Sequence, residues 1–219
     1  MNTTIYNMYS RRSAVALIAG LMALASSPLS AQTARAPSSE ARRLERMEAL
    51  DADHFERTAR LTDSDLDLTA TISTEEGFRY RGSFTDRVRS DNFLRAAITK
   101  RTGEATIQVY QSIVYNSPAR VFRTANYQTP SDLKSAPLII ISETEMSCFG
   151  GSCAYQDDVG FEVPEADLRQ IAAAYEAGDR RPWRFKLIAS GGDDWEDSMS
   201  PAEIMGLLRR LDAWRAQRR

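Results

Sequence analysis

Apolar residues in this chain fall into two periods, and the changes from one to the other lay out a fold. Leu66, Leu68, Ala70 and Ile72 alternate with polar residues, the spacing of a half-buried strand. Segments 93–100 and 105–115 flank Arg101-Thr-Gly-Glu104 and predict a hairpin. In its second arm Ile107, Val109, Ile113 and Tyr115 share one face, while Thr106, Gln108 and Ser112 share the other. That pattern belongs to an antiparallel sheet with one wet face. A further strand is expected over 120–127. Leu138-Ile-Ile-Ile141 shows no alternation, which predicts a central strand covered on both faces.

Helical spacing appears at both ends. From Glu40 to Leu61 there is no Pro or Gly, and Leu44, Met47, Leu50, Phe55 and Leu61 are loosely periodic, so one helix is expected. Val159, Phe161 and Val163 alternate as a strand before Pro164, which opens a helix at the position where its missing N–H costs nothing. Leu168, Ile171, Ala172 and Tyr175 give that helix its apolar stripe, Glu165 and Asp167 suit its positive end, and Gly178 stops it. Trp183, Phe185, Leu187 and Ala189 form the next strand, turned by Gly191-Gly192. Ser200-Pro-Ala-Glu203 reads as a capping box, and Ile204, Leu207, Leu208, Leu211 and Trp214 mark the face of a last helix. Gly206 inside it either permits close packing or is simply tolerated. The resulting expectation is an α+β fold: a mainly antiparallel sheet with an N-terminal helix and two C-terminal helices packed on it.

Ahead of this domain lies a different pattern. Arg11 and Arg12 precede a 12-residue apolar run, Ala14–Ala25, and Ser26-Ser-Pro-Leu-Ser-Ala31 follows with small residues. A membrane-spanning helix needs about 20 apolar residues, so residues 1–31 read as a cleavable secretory signal. Residues 32–39 read as a flexible tether, and 40–219 as one globular domain. No cysteine stands at the cleavage point to take a lipid. Ser10-Arg11-Arg12 hints at twin-arginine export, but the residues after it favour the general route. No second long apolar stretch follows, so no transmembrane segment remains once the signal is removed.

The signal carries two of the 28 basic residues and none of the 30 acids, leaving a net charge of −4. Acidity and export together argue against nucleic acid as a partner. Export also gives the two cysteines, Cys148 and Cys153, an oxidising compartment. The glycines of Cys148-Phe-Gly-Gly-Ser-Cys153 let the loop close, so a structural disulfide is expected. Two thiols and one histidine are too few for a metal site, and no metal or cofactor is expected.

Fragments of catalytic motifs occur out of context. Ser131-Asp-Leu-Lys134, Ser90-Asp-Asn92 and Arg101-Thr-Gly103 resemble the three motifs of serine β-lactamases but stand in the wrong order. Gly150-Gly-Ser-Cys-Ala154 ends in alanine where a nucleophile elbow needs glycine, and it precedes a strand rather than a helix. His54 lies in a polar helix and is expected to be solvated. Asp193-Asp-Trp-Glu-Asp197 fits no EF-hand spacing and reads as a solvated hairpin loop.

Two candidate sites remain. If alternation runs from Tyr155, Asp157 lies on the apolar face, where a carboxyl needs a partner such as arginine or a function. The favoured expectation is plainer: the strand starts at Asp158. Phe78, Arg79, Tyr80 and Arg81 interleave aromatic and basic side chains, as a face for anionic glycans or lipid headgroups would. The structural reading preferred here is a strand with Phe78 and Tyr80 inward and both arginines solvated.

At Cys148-Phe-Gly-Gly-Ser-Cys-Ala-Tyr155, Val159-Gly-Phe161 and Leu168-Arg169 the chain resembles small exported bacterial proteins of unknown function. The likeness covers roughly the final third and implies no activity. The expected function is that of a periplasmic or secreted, non-enzymatic binding or structural protein, with an envelope protein or anionic polymer as partner. The alternative is an envelope-polymer hydrolase using carboxylates such as Asp157. Polar groups gathered in a deep cleft would favour the hydrolase, and a flat surface would favour binding.

Overall fold

The computed structural model describes residues 39–79, 89–116, 118–176 and 178–218. The signal segment, the tether up to residue 38, and Tyr80 and Arg81 lie outside them. Among the described residues four helices and nine strands follow one another: α1 (Ser39–Glu48), α2 (Ala52–Thr58), β1 (Arg60–Thr62), β2 (Thr69–Ser73), β3 (Arg89–Thr99), β4 (Ala105–Asn116), β5 (Phe122–Gln128), β6 (Leu133–Phe149), β7 (Ser152–Glu162), α3 (Glu165–Glu176), β8 (Trp183–Ala189), β9 (Trp195–Met199) and α4 (Pro201–Ala216). Every strand pairing is antiparallel, in the order β1-β2-β3-β4-β7-β6-β5-β8-β9. The α+β expectation holds. Among the described residues no helix is long and apolar enough to cross a membrane.

β6 joins the two halves of the sheet. Leu133–Pro137 pair with β5, and Leu138–Phe149 pair with β7. Phe161 of β7 lies within 6.5 Å, ring centre to ring centre, of Tyr127 on β5 and of Trp183 and Phe185 on β8, so the inner faces of the halves share one aromatic core. The curl also brings β9 to β3, where Asn92 Nδ2 donates to the Ser198 carbonyl at 3.2 Å.

α4 packs against α2, α3, β2 and β3, and every residue from Pro201 to Leu208 is buried. Its N-terminus is half of the expected capping box. Ser200 Oγ accepts from the Ala202 N–H, while the Glu203 side chain accepts from the Thr74 hydroxyl of the sheet layer beneath. Gly206 serves close approach: a Cβ there would stand 2.5 Å from Phe55 Cβ and 2.9 Å from the Ala52 carbonyl oxygen. Only hydrogen lets α2 and α4 come together so closely.

Several expectations about the elements need correction here. The single helix over 40–61 is two helices and a strand, because the Asp51 carboxylate accepts the His54 N–H at 2.8 Å and caps a new helix. Leu66 and Leu68 are exposed in the turn before β2 rather than buried in it. Phe78 and Arg79 lie in a loop after β2, not in a strand. Ile139, Ile140 and Ile141 do belong to a central strand, yet they are 42 to 47% exposed. Pairing on one side and a solvent-facing edge on the other suit them less to a core than to a surface.

Candidate functional site

The strand carrying Asp157 begins at Ser152, not at Asp158, so strict alternation from Tyr155 puts the carboxyl on the inner face, 4% exposed. Its partner is not an arginine side chain. On β4 the residue opposite Tyr155 is Tyr115, whose hydroxyl donates to Asp157 Oδ2 at 2.7 Å. That hydroxyl accepts in turn from the Arg120 backbone N–H at 2.9 Å, and the Arg120 guanidinium lies 4.8 Å over the Tyr115 ring. On the other side Glu143 of β6 is the direct cross-strand neighbour of Asp157.

Directly opposed residues share a face, so this register sets a buried carboxyl beside an exposed one. Burial is the main force raising Asp157 above the ordinary carboxylate range, and the Glu143 charge pushes the same way. Burial and the same aspartate lift Tyr115 to about 12. A buried carboxyl whose proton is held more tightly, set beside a second carboxyl, is the raw material of acid–base chemistry. Such chemistry also needs a cleft to hold a substrate. A cavity of about 790 Å³ lies elsewhere, among α1, α3, β9 and the β5–β6 turn, with Trp183, Arg184 and Asp197 in its wall.

Asp197 belongs to a second polar cluster. It pairs with Arg43 of α1, accepts from Ser90 Oγ and from the Ser198 N–H, and faces the Trp195 indole N–H at 3.4 Å. Gln111 Nε2 donates to Ser90 Oγ at 2.8 Å, and Asn92 Nδ2 to Gln111 Oε1 at 3.3 Å. Both carboxylate oxygens of Asp197 are taken, so the cluster ties α1 and β9 to β3 and β4. The acidic run 193–197 is therefore only partly a solvated loop, since its end forms β9. The signal was Trp195, Asp197 and Met199 at strand spacing, hidden by the charges between them.

The remaining candidates are dispersed. Phe78 is half-buried, and the exposed Arg79 guanidinium pairs with Glu75 at 3.0 Å and Glu76 at 2.9 Å. Its charge is thus locally matched. Tyr80 and Arg81 fall outside the described residues. His54 is half-buried rather than solvated, and its Nε2 lies 2.8 Å from the Gly77 carbonyl, fastening that turn to α2.

Cys148 and Cys153 are bonded, 4.0 Å apart at Cα, as direct neighbours across β6 and β7. Beyond them Gly150 and Gly151, at φ of +59° and +82°, make the two-residue turn. With both sulfurs in the bond, neither is a thiolate ligand for a metal beside Glu145. This hairpin stands out by exposure: Met146 is 55% and Phe149 94% exposed. No protein-family model matches the chain, and neither a curated protein nor a solved structure does, so its function is to be read from this geometry.

Proposed function

We propose that this is an exported, non-enzymatic binding protein of the bacterial envelope, and that it engages its partner through β6. One observation carries the reading. Among the described residues, six of the nine large apolar side chains that stand exposed lie on that strand: Leu133, Ile139, Ile140, Ile141, Met146 and Phe149. Isolated exposed apolar residues are ordinary, whereas a run of them marks an interaction surface. The disulfide stiffens the far end of the run, which lowers the ordering cost of binding.

An envelope protein suits this surface better than an anionic polymer, because no Lys or Arg occurs between Lys134 and Arg169. Export is supported by the N-terminal pattern of charge and apolar residues. Two measurements test the reading. Intact mass of periplasmic protein should match a chain beginning at Gln32, and a photo-crosslinker replacing Met146 should join a discrete envelope protein. Full-length cytoplasmic protein, or crosslinks no more frequent than from an exposed control position such as Glu176, would overturn it.

The hydrolase reading rests on one specific feature, the opposed Glu143 and Asp157. It requires that Asp157→Asn and Glu143→Gln each abolish turnover of purified envelope polysaccharide by the wild type. The binding reading expects no turnover to abolish.

A further inference from the structure

Among the described residues the outer edge of β6 has no strand beside it. After Pro137 the pairing with β5 ends, and among the described residues Leu138–Phe149 are paired on the β7 side alone. Such an edge presents a row of free N–H and C=O groups, and natural proteins keep one of this length from pairing with strays or use it. Two bulges interrupt it, at Ile141 and at Met146, leaving Ser142–Glu145 as the regular centre. A bulge re-aims the side chain of the extra residue. In both bulges that residue is large, apolar and about half exposed.

Charge then selects the occupant. Glu143 and Glu145 are exposed on the regular centre, Asp158 borders it, and no Lys or Arg stands anywhere from 135 to 168. The Arg120 guanidinium is engaged over the Tyr115 ring. If two copies paired edge to edge, antiparallel and centred on this stretch, the glutamates of both would meet with no cation between them, and like charges across a pair are destabilising. An anionic membrane surface is repelled for the same reason. A cationic strand is attracted.

We propose that the β6 edge receives an extended segment of a partner polypeptide that alternates apolar and basic residues, added to the sheet as a further strand. The inference rests on the binding reading and names the partner's chemistry. Main-chain hydrogen bonds would hold the segment, Glu143 and Glu145 would take its Lys or Arg side chains, and Ile139, Ile141 and Met146 would cover its apolar ones.

The test uses a short acetylated peptide of alternating valine and lysine on the intact, disulfide-bonded protein. The peptide should bind, and hydrogen exchange should slow at amides within Leu138–Phe149. The double variant Glu143→Lys/Glu145→Lys, with unchanged circular dichroism, should bind it roughly tenfold or more weakly. Three controls carry the opposing outcomes. Equal binding of a valine–lysine peptide interrupted by prolines means charge alone, and equal binding of a valine–glutamate peptide means no charge selection. Sedimentation showing a wild-type dimer in which the Leu138–Phe149 amides are protected from exchange, or binding to phosphatidylglycerol vesicles, assigns the edge to another occupant. Each overturns the proposal, as does the absence of binding. If the peptides fail while the Met146 crosslink to an envelope protein persists, strand addition falls and the binding reading stands.

Discussion

Replacing Glu203 by glutamine should change how stability depends on pH more than it changes stability itself. Glu203 is 2% exposed at the start of α4, where it accepts from the Thr74 hydroxyl. Burial dominates its titration and Asp91 adds to it, lifting the carboxyl from 4.5 to about 8 against the pull of Thr74 and Leu94. A difference of that size between folded and unfolded chains is worth about 5 kcal/mol. The folded protein keeps the proton that the unfolded chain gives up, so this contribution is complete below about pH 4.5. It declines as pH rises and is gone above about pH 8. Glutamine accepts the same Thr74 hydrogen bond and cannot ionise. Urea denaturation of both proteins from about pH 5 to about pH 8.5 should give curves that diverge, with Glu203→Gln gaining several kcal/mol at the alkaline end. Any constant offset at the acid end reports the exchange of a hydroxyl for an amino group. Asp63 and Glu165, held near 2 chiefly by Lys100 and by Arg215, titrate below this window and cancel in the difference. A gap between the two proteins that stays constant with pH would refute the reasoning.

Other outcomes follow from the packing. Gly206→Ala should destabilise by about 1–3 kcal/mol in thermal melts, because overpacking against Phe55 outweighs the roughly 1 kcal/mol of helix propensity gained. A stabilised variant would mean that α2 yields easily. Leu208→Ala should cost about 2–5 kcal/mol and Ser200→Ala only about 1 kcal/mol, measured by denaturant titration. Equal costs would contradict a buried α4. Replacing Cys148 and Cys153 together by serine should cost about 2 kcal/mol, since the loop they close is short. Thiol titration of denatured, unreduced wild type should find no free sulfhydryl.

The parts of the fold legible in the sequence are those whose cause is local. The helix stripe from Leu168 to Tyr175, the alternation from Trp183 to Ala189 and the Ser200 cap each lie within one element, and each stands where it was expected. What escaped depends on partners far along the chain. Asp157 acquires meaning from Tyr115, 42 residues earlier, and from Glu143 across a bulged ladder. Ile139–Ile141 have the composition of a covered strand, and only the departure of β5 at Pro137 uncovers them. β9 was masked by its own acids, and the break at Asp51 by a helix-like stretch on either side of it.

The division of β6 has a thermodynamic consequence. The strand is covalently continuous through two ladders that share no other strand, and the aromatic cluster spans both. Melting either half would strip one end of β6 and open half of that cluster to water. Partially unfolded forms therefore forfeit stability on both sides of the break at once, and the two halves should lose structure in a single cooperative transition.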